Sequence, residues 1–145
     1  MKILVQRVLS AELRVDGELR AEIGPGLCAY IGVEAGDAEP QAAWLANKLA
    51  HLRVFEDENG KMNRSVLQTG GQILLISNFT LCADCSQGFR PSFSGAERPE
   101  LARPMTERFA ALLREAGAEV KTGVFGADMK ITQLNDGPVS ILLSR

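Results

Sequence analysis

Residues 2–15 and 19–23 read as two strands, with apolar and polar positions alternating over 10–15 and again over 19–23 and with Asp16-Gly17 between them, which predicts a hairpin. A two-residue loop would set Val15 opposite Glu18 and Leu13 opposite Arg20. One more residue pairs Val15 with Leu19 and Leu13 with Ala21, so apolar pairing favours a three-residue loop or a bulge at Glu18. Gly24-Pro25-Gly26 then turns the chain into the apolar run Leu27 to Val33, a buried strand. Asp37 is the expected N-cap of a helix with Pro40 in its first turn and Ala42, Leu45, Leu49 and Leu52 on one face. Arg53 to Phe55 starts a strand, Glu58-Asn59-Gly60-Lys61 makes a turn, and Val66 belongs to a connecting segment. A second helix covers Pro99 to Ala116, with Leu101, Met105, Phe109, Leu112 and Leu113 inward and Gly117 as its stop. Pro104, inside that pattern, either kinks the helix or marks its first turn. Strands follow near Glu119 to Lys121, Met129 to Leu134 and Val139 to Leu143. Strands outnumber helices and do not alternate strictly with them, which argues against a doubly wound parallel sheet.

Gln72 to Ile76 departs from alternation. It is a nearly unbroken, β-branched apolar run, and so a strand covered on both faces. Polarity then arrives abruptly: Ser77, Asn78 and Thr80 surround Phe79 at the strand end, where small polar groups either bind a ligand or satisfy nearby backbone. A loop with Gly88, Arg90 and Pro91 follows. Asn135 to Ser140, NDGPVS, reads as a turn, and Gly137-Pro138 admits either a trans or a cis peptide.

With 145 residues, 46% of them apolar, the chain forms one domain over 1–145 with a core of its own. A net charge of -2 excludes nucleic-acid binding by bulk electrostatics but not by a local basic patch, for which Arg7, Arg53, Lys61, Arg64 and Arg90 are candidates. MKILVQRV is too short an apolar stretch for a signal peptide and no run is long enough to span a membrane, so a cytoplasmic protein is expected. The three cysteines, Cys28, Cys82 and Cys85, fit a reducing compartment. His51 is the sole histidine, which argues against a Ser-His-Asp or Cys-His set. Cys82-Ala-Asp-Cys85 has the spacing of a redox pair or half a zinc site, but only Cys28 and His51 are left to complete one, so no metal and no cofactor are expected.

Five segments in order, QRV at Gln6 to Val8, EIGPGL at Glu22 to Leu27, SNFTL at Ser77 to Leu81, GFRPSF at Gly88 to Phe93 and NDGPVS, together with Gly123 to Met129, resemble the D-aminoacyl-tRNA deacylase family over the whole chain. Asn78 stands where that family has Gln, and Ser140 where it has Thr; both keep the chemical type. The resemblance implies an α/β fold, a β/β/α layered single domain with mixed sheets and two helices, working as a homodimer. It implies hydrolysis of the ester between a D-amino acid and the 3′-terminal ribose of tRNA, with glycine tolerated. Phe79 and Thr80 would stand at the chemistry through their amides. Ser77, Asn78, Phe125 and Met129 would line the substrate pocket, and a cis Gly137-Pro138, braced by Arg7, would reach into the partner's pocket to reject L-amino acids. Because the substrate's own 2′-hydroxyl can direct the water, no side-chain nucleophile is needed, although Thr80 is the one nearest to that role. Two other classes stay open on composition alone: a non-catalytic RNA- or ligand-binding dimer, and a thiol or zinc protein.

Overall fold

The computed structural model describes residues 1–145. β1 (Lys2–Val15) and β2 (Glu18–Ile23) form the expected hairpin. Its turn is the two-residue Asp16-Gly17, with φ of 52° and 80°, a left-handed pair whose twist suits a tight hairpin. Leu13 faces Ala21 as the apolar pairing requires, but Val15 pairs with Glu18 and Arg14 with Leu19. The extra residue is therefore Arg20 rather than Glu18. The turn sets the end of the ladder, and the register corrects itself just inside it.

β3 (Gly26–Gly32) runs antiparallel to the first half of β1, β6 (Gln72–Ser77) parallel to β3, and β7 (Glu119–Thr122) parallel to β6. The path is β2-β1-β3-β6-β7, with β8 (Lys130–Ser144) paired along β1. Lys121 Nζ on β7 donates to Glu22 O on β2 at 2.7 Å, so the sheet curls until its two ends touch. β4 (Phe55–Glu56) and β5 (Met62–Arg64) make a separate small ribbon. The curled sheet buries two apolar layers. Ile73 and Leu75 of β6 pack with Leu45, Leu49 and Phe109 of the helices, while Leu74 and Ile76 meet Leu13, Ile23 and Cys28 on the other face. This is the two-sided burial that the unbroken apolar run predicts.

α1 (Glu39–Ala50) has Ala38, not Asp37, at its N-cap. The Asp37 carboxylate is occupied elsewhere, 2.7 Å from the Met1 amino group and 2.7 Å from the Glu34 amide. α2 (Val66–Thr69), a one-turn helix absent from the sequence reading, is held by a capping box between Ser65 and Gln68. α3 (Pro99–Glu115) starts with Pro99 and continues through Pro104, losing one hydrogen bond near its start. Its inward stripe includes Ala102, while Leu101 is exposed.

β8 is one strand where two were expected. Asn135 pairs with Val8 and Ser140 with Gln6, so the segment between them has only Arg7 opposite it and bulges out of the ladder. A turn signal inside an otherwise paired strand is met by a bulge, not by a chain reversal. Gly137-Pro138 is cis. No helix is long and apolar enough to cross a membrane.

Candidate functional site

β6 delivers Ser77 to the sheet edge, and the Asn78 amide, donating to Ile31 O at 2.8 Å, keeps the next residue in register with β3. Phe79–Cys82 then makes a single 3-10 turn. Gly32 permits this turn to lie on β3, because a Cβ there would stand 2.9 Å from Cys82 Sγ and 3.0 Å from Leu81 Cβ. Asn78 caps the turn: its Oδ1 accepts from the Thr80 hydroxyl at 2.6 Å and from the Thr80 amide at 3.3 Å. The Phe79 amide donates to no protein group. The strand-end polar cluster thus divides, with Asn78 and Thr80 satisfying each other and the Phe79 N–H left open.

Beside this turn lies a cavity of about 700 Å³, lined by Ser77, Asn78, Phe79 and Phe93, by Phe125 and Met129, and by the start of α3. The Phe79 ring meets Phe93 edge-on, centroids 5.0 Å apart. Two backbone hydrogen bonds between Asp84 and Ser92 close the loop that carries Gly88, Arg90 and Pro91. Of the residues singled out in the sequence, the cavity gathers Ser77, Asn78, Phe79, Phe125 and Met129. Thr80, in the same 3-10 turn, is exposed and is not among the residues that line the cavity. The sequence reading missed Arg98, the N-cap of α3, and Arg103 in its second turn, which line the cavity; two arginines at the start of a helix were the available signal. Arg103 lies 5.0 Å over the Phe125 ring.

Arg7, Gly137 and Pro138 are outside this cavity. Arg7 is only 7% exposed. Its Nε donates to the Asp136 carbonyl at 3.1 Å and lies 3.0 Å from the Asp136 carboxylate, and Nη1 donates to Val54 O at 2.6 Å. Of the basic-patch candidates, Arg7 is therefore buried and held through Nε and Nη1, whereas Arg53, Lys61, Arg64 and Arg90 are exposed. At Gly137, φ is +148° and a Cβ would fall 2.4 Å from the Val139 nitrogen, so only glycine fits.

The remaining reactive groups are dispersed. His51 is exposed at the end of α1, its Nδ1 2.9 Å from Asn47 O. Cys82 is buried with its thiol donating to Val33 O, Cys85 is exposed, and neither is paired. No cluster of three or more His, Cys, Asp and Glu is arranged to hold a metal ion. Burial pushes the Cys28 thiol up to about 11, and raises the Tyr30 hydroxyl as well.

Residues 4–144 match the family described as D-Tyr-tRNA(Tyr) deacylase. A D-aminoacyl-tRNA deacylase of Thermomicrobium roseum is 53% identical over 99% of this chain and 93% of its own. The protein of the same name from Thermus aquaticus is 49% identical, over 99% and 94%. Among solved structures, a c-Myc DNA unwinding element binding protein superposes with a TM-score of 0.95 at 38% identity, covering 100% of this chain and 99% of that one. A probable eukaryotic D-amino acid tRNA deacylase gives a TM-score of 0.83 at 15% identity over 98% and 97%, a likeness of fold.

Proposed function

The chain belongs to the D-Tyr-tRNA(Tyr) deacylase family, and from that premise we propose that it hydrolyses the ester linking a D-amino acid to the 3′-terminal ribose of tRNA. The observation that carries this reading is Phe79, a residue of the cavity wall whose amide has no protein acceptor. Attack of water on the ester places negative charge on the carbonyl oxygen, and an open, fixed N–H is the donor such an oxyanion needs. The Thr80 amide, weakly held by Asn78 at 3.3 Å, is the second donor once substrate competes for it. The ribose 2′-hydroxyl directs the water, so the site works without a histidine base. Ser77 and Asn78 orient the substrate, and Phe125 and Met129 form the walls.

Discrimination against L-amino acids is assigned to Gly137-Pro138 of a second copy. Two features support an arrangement in trans. The bulge that presents this pair stands outside its own chain's cavity, anchored by Arg7. And β8, fifteen residues long, pairs only with β1, leaving an open edge beside exposed Leu134 and Leu142. Such an edge needs a cover, and a two-fold dimer supplies one while giving each cavity the partner's bulge. A rigid backbone filling one side of the Cα rejects an L side chain and leaves a D side chain free. Glycine has nothing to exclude, so glycyl-tRNA is a substrate too. A tRNA substrate places the enzyme in the cytoplasm.

The test is hydrolysis of matched D-tyrosyl- and L-tyrosyl-tRNA by the purified protein, with glycyl-tRNA alongside. Rapid loss of the D and glycyl esters with the L ester intact is the expected result. Failure on both tyrosyl esters would overturn the reading in favour of a non-catalytic RNA-binding dimer, and glycyl resistance alone would overturn the steric filter.

A further inference from the structure

We propose that Arg103 anchors the phosphate that joins the 3′-terminal nucleoside of the substrate to the preceding nucleotide, an inference that rests on the deacylase reading above. Arg103 projects from the second turn of α3, its guanidinium carbon 5.0 Å over the Phe125 ring, with both residues in the cavity wall. It has no carboxylate partner, and its donors make no hydrogen bond to the protein. That sets it apart from most arginines of the chain. Arg7, Arg14, Arg20 and Arg108 are paired with acids, and Arg53, Arg64 and Arg114 donate to backbone carbonyls.

A guanidinium held over an aromatic face keeps its forked N–H groups free for an anion while the ring limits the freedom lost on binding. Local charge agrees. The titratable side chains of the lining are Glu97, Arg98 and Arg103, one negative and two positive, whereas the whole chain carries -2. Glu97 is moreover occupied, its carboxylate accepting from the Arg98 amide at 2.8 Å. In an aminoacyl-tRNA the ester and the 5′-phosphate sit on opposite sides of one ribose. An ester at Phe79 therefore carries that phosphate across the same cavity, and of the two lining cations without an acid partner, Arg98 and Arg103, the one held over an aromatic ring suits it.

The experiment compares D-aminoacyl-tRNA with 3′-O-D-aminoacyl-adenosine, which has no phosphate, for the wild-type enzyme, Arg103→Ala and Arg103→Lys across a sodium chloride series. Arg103 is exposed on a helix, where alanine is well tolerated. We expect Arg103→Ala to lower kcat/KM for the tRNA about tenfold, chiefly through KM, and to flatten its dependence on log salt by about 0.7. Hydrolysis of the aminoacyl-adenosine should fall much less, so that the loss is specific to the substrate that carries the phosphate, and Arg103→Lys should retain the salt slope. Equal losses on both substrates would assign Arg103 to the base or the cavity wall and overturn the proposal, as would an unaltered salt slope in Arg103→Ala. A wild-type enzyme inactive on both substrates would bring down the deacylase reading with it; an active one indifferent to Arg103→Ala would sink only the phosphate anchor.

Discussion

Arg7 and Asp136 meet across the β1–β8 ladder, Nε lying 3.0 Å from the carboxylate and 3.1 Å from the backbone carbonyl of the residue that precedes Gly137. The same guanidinium holds Val54 O, so one side chain ties β1, the bulge of β8 and the segment before β4 together. Replacing Arg7 with Ala strands two carbonyls, one of them deeply buried, and should cost about 2–4 kcal/mol. Arg7→Lys keeps the charge but lacks the fork that spans both acceptors, and should recover only part of that loss. Urea titration gives the stability change. Deacylation of D- and L-tyrosyl-tRNA by the folded Arg7→Lys protein should show a reduced D-to-L ratio; an undiminished ratio would mean that the bulge holds its place without Arg7.

Gly137→Ala probes the bulge itself. The added Cβ would lie 2.4 Å from the Val139 nitrogen and 3.0 Å from its Cγ2, at a φ of +148° that L side chains rarely adopt. Backbone must move, and a loss of roughly 1–3 kcal/mol is expected. Because this segment is separate from the cavity of its own chain, the free cavity should survive in shape while discrimination falls. The measurement is the D-to-L ratio in the variant, with analytical ultracentrifugation to compare its oligomeric state with that of the wild type. A variant with full discrimination would remove the bulge from chiral selection.

Much of this architecture was legible in the residues because each signal was local. The both-face burial of β6 follows from one unbroken apolar run, and the end of α3 from Gly117. Elsewhere long-range partners decided. Asp37 is an apt N-cap by sequence, but the Met1 amino group and the Glu34 amide claim its carboxylate. Asn135 to Ser140 is composed like a turn, yet β1 supplies partners on either side of it, and the chain stays a strand with a bulge. The site divides the same way. Ser77, Asn78 and Phe79 were visible as a change of polarity, whereas Arg98 and Arg103 enter the cavity only because α3 packs alongside it.

The three cysteines differ sharply in environment, and their reactivity should follow. Cys28 is fully buried and Cys82 nearly so, while Cys85 is exposed. A thiol reagent at neutral pH should label one cysteine per chain in the native protein and three after denaturation, the native site being abolished by Cys85→Ser. Alkaline pH reaches the buried thiol through the unfolded state. Unfolded, Cys28 ionises near its ordinary 9.0, whereas burial in the fold holds it protonated to about 11. Stability from this group is complete below pH 9 and is lost as pH rises through that interval, by roughly 2–3 kcal/mol. Tyr30, raised first of all by burial, steepens the decline above pH 10. Cys28→Ala should flatten the curve between pH 9 and 10, read from urea midpoints.

Thr80 is where the chemistry can be divided most cleanly between side chain and main chain. Its hydroxyl donates to Asn78 Oδ1 at 2.6 Å, a carboxamide that cannot take up a proton as a base would, and the residue lies outside the cavity lining. If the open Phe79 amide stabilises the oxyanion and the substrate's 2′-hydroxyl directs the water, the Thr80 hydroxyl contributes only to the cap of the 3-10 turn. Thr80→Ala should then lose about 1 kcal/mol of stability and retain deacylation within a few-fold of wild type, since the Thr80 amide persists. Asn78→Ala removes the acceptor and frees that amide, so it should perturb the turn more than Thr80→Ala does. Single-turnover hydrolysis of D-tyrosyl-tRNA with enzyme in excess separates the chemical step from release. A fall of several orders of magnitude in a folded Thr80→Ala protein would return the hydroxyl to the reaction as a nucleophile and displace the main-chain account.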